Sequence, residues 1–363
     1  MSRRVVRGRG AVANPGNRFD GIDHVPDPEA LQAQHDAGEQ PERPRTELLR
    51  DTSRSIITYN NSPDVRFDAS INPYRGCEHG CSYCFARPTH EYLGMSAGLD
   101  FETRIVVKED AAALLRAELA RPGWRPQTLG LSGITDPYQP IERRLRITRS
   151  CLEVLCEARN PVIAITKNSL VTRDVDLLAD LARQRLAAVC ISLPTIDHAL
   201  SRAMEPRTST PERRLRAVRQ LADAGIPVIA LVAPVIPGLT DHEIPAILEA
   251  AREAGATHAG YVTLRLPWAV APLFTAWLEE HRPNHARKVL ERIRDLRGGT
   301  LYEARFGERM RGSGAFADLI EQMYQGACRR AGLNAERVDL RTDLFRRPAG
   351  DPSQLTLFPE ADG

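Results

Sequence analysis

The sequence predicts an α/β fold, a parallel sheet or barrel with its helices outside, and three observations carry that prediction. Short β-rich runs recur at 66–71, 128–131, 162–166, 188–193, 228–233 and 258–264. Between them lie apolar patterns of helical period with recognisable ends. After Pro267 the strand signals stop, and helices follow near 284–296 and 315–331. Alternation of this kind packs helices over a parallel sheet and gathers functional groups at the C-terminal ends of its strands.

The elements can be justified in order. Residues 1–50 are expected to be poorly ordered: 1–18 hold five arginines and no acid, and a Pro- and acid-rich stretch follows. Such composition buries too little apolar surface to fold alone. The alternating region spans 51–270. Within it Asp174 is expected to cap a helix over 175–185, and Thr210-Pro211 starts a helix that Gly225 stops. Thr240 with Glu243 reads as a capping box for a helix closed by Gly255. Residues 271–340 read as helical, and 341–363, rich in Pro, Gly and Asp, as a flexible tail.

Composition sets limits. The 363 residues suffice for one large domain with tails. The longest apolar stretch, 227–237, is broken by three prolines. It falls short of the roughly 18 apolar residues of a membrane span, and with no apolar signal core at the N-terminus a cytoplasmic location is expected. Net charge is only +2, which excludes polyanion binding by bulk charge. Lysine occurs only at Lys108, Lys167 and Lys288. Seven cysteines without an export signal do not read as a disulfide scaffold. Cys151, Cys156, Cys190 and Cys328 sit in apolar patterns and read as buried thiols.

The remaining three, Cys77, Cys81 and Cys84, fall in the loop after the first strand with C-x3-C-x2-C spacing and Tyr83 before the third. Thiolates so spaced converge on one cubic iron–sulfur cluster. Gly76 and Gly80 let the backbone fold closely around it. Three ligands leave one iron open to a substrate or cofactor. The alternative is zinc held by the same cysteines with His79 or His90, although no second pair at zinc-finger spacing follows.

This segment resembles the radical S-adenosylmethionine (radical SAM) superfamily. The resemblance implies a partial (β/α)6 parallel barrel, a 4Fe-4S cluster and S-adenosyl-L-methionine. The open iron would chelate the methionine moiety, and reductive cleavage of the sulfonium would release a hydrogen-abstracting 5′-deoxyadenosyl radical. It also implies a low-potential electron donor such as flavodoxin or ferredoxin. The strand ends then supply cofactor contacts. Ser132 and Thr135 lie in the short segment expected near the amino group, and Lys167 and Arg207 are cations for the carboxylate. Ser192 is placed for the ribose or carboxylate. Ile236, in a segment similar to G-x-I-x-G-x-x-E with proline for the first glycine and Asp241 for the glutamate, is expected to pack on adenine.

Within the superfamily, Thr135-Asp136-Pro137-Tyr138-Gln139-Pro140-Ile141-Glu142 and Thr166-Lys167-Asn168-Ser169 resemble uncharacterised relatives of spore photoproduct lyase. That implies damaged DNA as substrate, a lyase-like reaction and a place in DNA repair. Modification of a protein or small metabolite is the alternative. The lyase returns hydrogen through a cysteine shortly after its second strand, and residues 131–138 hold none. Arg309-Met310-Arg311-Gly312-Ser313-Gly314, before a helix, reads as either a phosphate site or a turn. The tail holds Gln354, Leu355, Leu357 and Phe358, which resemble the pentapeptide by which bacterial proteins dock on the sliding clamp.

Overall fold

The computed structural model describes residues 8–11, 13–20, 44–65 and 67–349. Ten strands occur among them: β1 (Glu47–Arg50), β2 (Ile57–Tyr59), β3 (Ala69–Ile71), β4 (Tyr74–Arg75), β5 (Arg104–Val107), β6 (Leu129–Leu131), β7 (Val162–Thr166), β8 (Ala187–Ser192), β9 (Val228–Val235) and β10 (His258–Thr263). The main sheet has the order β10-β9-β8-β7-β6-β3-β2. Its strands from β3 to β10 run parallel, and β2 pairs antiparallel with β3. These are the six parallel strands of the expected (β/α)6 architecture. A small sheet, β1-β5-β4, stands beside it.

Helices fill each crossover, as parallel pairing requires. They are α1 (Leu99–Thr103), α2 (Ala111–Ala120), α3 (Glu142–Leu145), α4 (Ile147–Ala158), α5 (Val175–Arg183), α6 (His198–Met204), α7 (Pro211–Asp223) and α8 (Ile244–Glu253). Three more follow the sheet: α9 (Val270–His281), α10 (Pro283–Leu296) and α11 (Ala315–Ala331), of which α11 packs on α8. Strand β8 is buried along its whole length, which explains its unbroken Ala-Ala-Val-Cys-Ile run. Helix α7 starts as its sequence demands: the Thr210 side chain accepts from the Arg213 N–H, Pro211 has no N–H in need of an acceptor, and Gly225 at φ 76° ends it.

Several expectations are corrected. Asp174 does not cap α5; its carboxylate is taken by Arg149 and Arg173, stronger partners than a backbone N–H. Thr240 and Glu243 form no capping box. Thr240 Oγ1 accepts from the Ile236 N–H at 2.9 Å, and Glu243 accepts from the Thr195 hydroxyl and the Ile196 N–H, each at 2.8 Å. Gly10 and Ala11 bond Glu102, Asn14 bonds Asp100, Asn17 bonds Glu91 O, and Glu47–Arg50 pairs with β5, so these parts of the N-terminal segment are held on the fold. Residues 341–349 also dock: Arg346 N–H bonds Ala158 O at 2.8 Å, and Phe345 packs against the main core. Arg311 lies over Tyr261 at 3.7 Å and Arg309 binds Asp64, so both arginines of the segment 309–314, read as a phosphate site or a turn, are engaged by their own fold. The clamp-like residues Gln354, Leu355, Leu357 and Phe358 lie outside the described residues.

Candidate functional site

The cysteine loop is shaped from behind by buried polar groups. Cys77 N–H bonds Phe101 O at 2.8 Å, and Ser82 N–H bonds Met204 O at 2.9 Å. Arg87, fully buried, donates to Cys81 O through Nε and Nη2, and to the Ala97 and Gly98 carbonyls. Its charge is met by Glu102, which also accepts the Gly10 and Ala11 N–H groups at 3.0 and 2.8 Å. The two loop glycines are both required. Gly76 and Gly80 have φ 82° and 67°, and a Cβ would stand 2.8 Å from His90 Cε1 or 2.7 Å from Glu102 Oε2 respectively.

The segment 135–142 is a bracket for the same loop. Gln139, buried, accepts from the Glu78 N–H at 2.9 Å and donates to Gly76 O. Thr135 Oγ1 donates to Tyr74 O, and Glu142 receives the Tyr74 hydroxyl and Arg173. Asp136 joins three elements. It meets His79 Nδ1 at 3.3 Å and accepts from Thr166 Oγ1 and the Lys167 N–H, each at 2.7 Å. Burial works against charge on His79, yet Asp136 and Cys77 push its pKa up to about 10. Burial also opposes the Asp136 charge, but His79, Thr166 and Lys167 hold that carboxyl down at about 2.

The strand ends enclose a cavity of about 220 Å³ lined by Cys77, Cys81 and Cys84. Ser132, Thr135 and Asp136 after β6, Thr166 and Lys167 at β7, and Ser192 at the end of β8 join them on its wall. Ala233 and Pro234 of β9, and Thr263, Leu264 and Arg265 at β10, complete it with Phe85, Ile134 and Met310. Four of the six expected cofactor contacts, Ser132, Thr135, Lys167 and Ser192, thus meet the three cysteines. Ser132 also braces the loop that carries it, since its Oγ donates to Asn72 Oδ1, which further accepts the Gly133 and Ile134 N–H groups.

Two expected contacts lie elsewhere. Arg207 is not on the cavity wall; the buried carboxylate of Glu78 draws its Nη1 to 3.1 Å, and its N–H bonds His79 O. Ile236 is fully buried in the core cluster that also holds Cys81, Tyr83 and Met204, because the chain turns over 236–240 after β9. Asp241 accepts from the Gly238 N–H in that turn.

Behind Cys81 lies a pair the sequence did not single out. Glu205 and Arg214 form a buried ion pair, and the Tyr83 hydroxyl donates to Glu205. Burial opposes the Glu205 charge, but Arg214 and Lys167 hold its carboxyl below the usual range. The Cys81 thiol, 3.9 Å from Glu205, is pushed well above its ordinary pKa by burial and then by that carboxylate. Arg265, Phe85 and Asn72 were also missed, because an arginine, a phenylalanine and an asparagine carry no spacing signal.

The donor set fits a cluster better than zinc. All three cysteines are free of disulfides and share one cavity wall. Both nitrogens of His79 are engaged, Nδ1 by Asp136 and Nε2 by Asn168 at 3.1 Å. His90 Nε2 is held by Arg104 O, and its ring packs edge-on against Phe101. Among the described residues no three His, Cys, Asp or Glu side chains converge on a single metal ion. A cluster, whose irons hold their ligands further apart, does not demand such convergence.

Comparison with known proteins agrees. The family model for the Radical SAM superfamily matches residues 71–251. An uncharacterised protein of Mycobacterium tuberculosis is 39 % identical over 238 residues, covering 65 % of this chain and 69 % of that protein. Another, of Methanocaldococcus jannaschii, is 27 % identical over 199 residues, 55 % of this chain and 71 % of that one. Among solved structures, spore photoproduct lyase complexed with dinucleoside spore photoproduct superposes with a TM-score of 0.59 at 15 % identity, over 84 % of this chain and 92 % of that one. A mutant of that lyase with bound AdoMet and the dinucleoside gives 0.57 at 14 %, over the same shares. At such identities the likeness is one of fold.

Proposed function

The chain belongs to the radical SAM superfamily, and we propose that it applies the superfamily's chemistry to damaged nucleic acid, in a lyase-like reaction. The superfamily uses a 4Fe-4S cluster and S-adenosylmethionine. Cys77, Cys81 and Cys84 would hold the cluster, and Lys167, Ser192, Ser132 and Thr135 surround the space left for the cofactor. When bound, the two together supply a 5′-deoxyadenosyl radical that abstracts hydrogen. The residues of this chain then bind, orient and exclude water. Lys167 offers the cofactor's carboxylate a point charge beside Cys81 and Cys84. The apolar side, with Leu231, Ala233, Pro234 and Val262, keeps the reacting space dry.

The observation that carries the nucleic-acid reading is the extent of the fold likeness: 92 % of spore photoproduct lyase, not the common barrel alone, has a counterpart here. The hydrogen return must differ from the lyase's. Residues 131–138 contain no cysteine, and no fourth thiol lines the cavity among the described residues. Reduction of the cluster calls for a low-potential electron donor, such as flavodoxin or ferredoxin. The tail supplies a clamp-like peptide that would bring the enzyme to DNA. No helix among the described residues is long and apolar enough to cross a membrane, which suits work on DNA in the cytoplasm.

The test is anaerobic incubation of reduced protein and S-adenosylmethionine with ultraviolet-irradiated DNA, intact DNA or no DNA. The reading expects more 5′-deoxyadenosine with irradiated DNA and loss of a lesion by mass spectrometry. Equal release in all three arms contradicts it, and leaves a protein or small metabolite as the substrate.

A further inference from the structure

Arg265 stands on the cavity wall just beyond β10, yet among the described residues its buried Nε has no hydrogen-bond partner. Its Nη1 faces the Met310 sulfur at 3.7 Å, a weak acceptor. Buried N–H donors are rarely left unpaired, and one that is calls for a partner such as a water, an ion or a ligand group. The guanidinium lies 4.9 Å from the centre of the Phe85 ring, which lines the same cavity. Phe85 is 45 % exposed and Ile134 40 % exposed, although both line the cavity. An unsatisfied arginine fork beside exposed, flat apolar surface suits a ligand that joins an anion to an aromatic ring.

The surface continues outward in the same chemistry. Trp268, three residues after Arg265, is 60 % exposed and held at φ 45°, an uncommon conformation for a bulky residue. Arg18 stacks over it at 4.0 Å and also reaches Phe19 and Tyr92, both exposed. Arginine interleaved with exposed aromatic rings is how single strands are gripped without regard to sequence.

We propose that Arg265 anchors a phosphodiester of a nucleic-acid substrate at the cavity mouth, with the adjoining base on Phe85 and Ile134. The proposal rests on the nucleic-acid reading above and adds the residue that receives the strand. A phosphate oxygen satisfies the Nε–H and one Nη–H together, a fork that lysine cannot reproduce.

The experiment is fluorescence anisotropy of a labelled single-stranded 12-mer with the full-length, cluster-loaded protein under argon, from 50 to 200 mM salt. Arg265→Gln should weaken binding at least tenfold at the lowest salt and reduce the slope of log K against log salt by about one. Arg287→Gln, which removes an arginine whose side chain is 93 % exposed on α10, should change affinity less than twofold. Iron and sulfide content reports whether each variant is folded. If Arg265→Gln loses its cluster, Arg265→Lys carries the test: the slope stays and affinity falls severalfold. Wild-type affinity in a folded Arg265 variant overturns the assignment and leaves the nucleic-acid reading standing. No binding by the wild-type protein at any salt removes both.

Discussion

Asp136 Oδ2 lies 3.3 Å from His79 Nδ1, and this contact ties the cysteine loop to two strand ends at once. His79 sits between Cys77 and Cys81, while Asp136 follows β6 and binds Thr166 and the Lys167 N–H beyond it. The position of Lys167 relative to the cysteines is therefore set by one buried carboxylate. Replacing Asp136 by asparagine removes the charge that His79 and its other donors face. Breaking a buried pair of this kind costs about 3–5 kcal/mol. Urea denaturation of Asp136→Asn should show a loss of that size, with reduced iron retention. A midpoint within experimental error of the wild type would show that the pair is not a support of the loop.

Lys167→Ala should weaken binding of S-adenosylmethionine by about 1.5–3 kcal/mol, the usual range for a hydrogen bond to a charged group. Equilibrium dialysis on cluster-loaded protein reads it directly. Unchanged affinity takes Lys167 out of the cofactor site.

A Cβ on Gly10 would stand 1.7 Å from the Gly80 carbonyl oxygen, so Gly10→Ala must lift the N-terminal segment off the cysteine loop. Air bleaching of the cluster, followed near 400 nm, should then run several times faster than in the wild type. Equal bleaching rates would mean that this segment does not shield the loop.

The peptide Gln354–Phe358 should bind purified bacterial sliding clamp in the micromolar range, since only a few anchors carry the contact. Titration calorimetry with Leu357→Ala/Phe358→Ala as control checks it. Absence of heat at high micromolar clamp removes this link to DNA.

How much of the fold and the site was legible follows from the kind of signal each feature leaves. The six parallel strands and the cysteine loop announce themselves by period and spacing, and strand order then brings Ser132, Thr135, Lys167 and Ser192 to one wall. Arg207 and Ile236 lie off the cavity wall because the turns that follow α6 and β9 redirect side chains, and no local pattern reports a turn's direction. Arg207 is paired with Glu78, and Ile236 lies in the core cluster that also holds Tyr83. Arg265 and Phe85 escaped notice for a different reason. They meet only when the loop after β4 closes onto the far edge of the sheet, a contact between residues 180 positions apart. The placement of Gly10 and Ala11 was hidden likewise: the composition around them is that of a free arm, and their partner Glu102 lies far along the chain.

The most direct measurement of the central claim is made on protein purified under argon, by iron and sulfide analysis followed by reduction with S-adenosylmethionine and chromatography for 5′-deoxyadenosine. The account predicts about four irons and four sulfides per chain and slow release of 5′-deoxyadenosine even without substrate. Both should be lost in Cys77→Ala, Cys81→Ala and Cys84→Ala, while Cys151→Ala keeps the cluster. Stoichiometric zinc without sulfide, and no 5′-deoxyadenosine from the wild type, would contradict it.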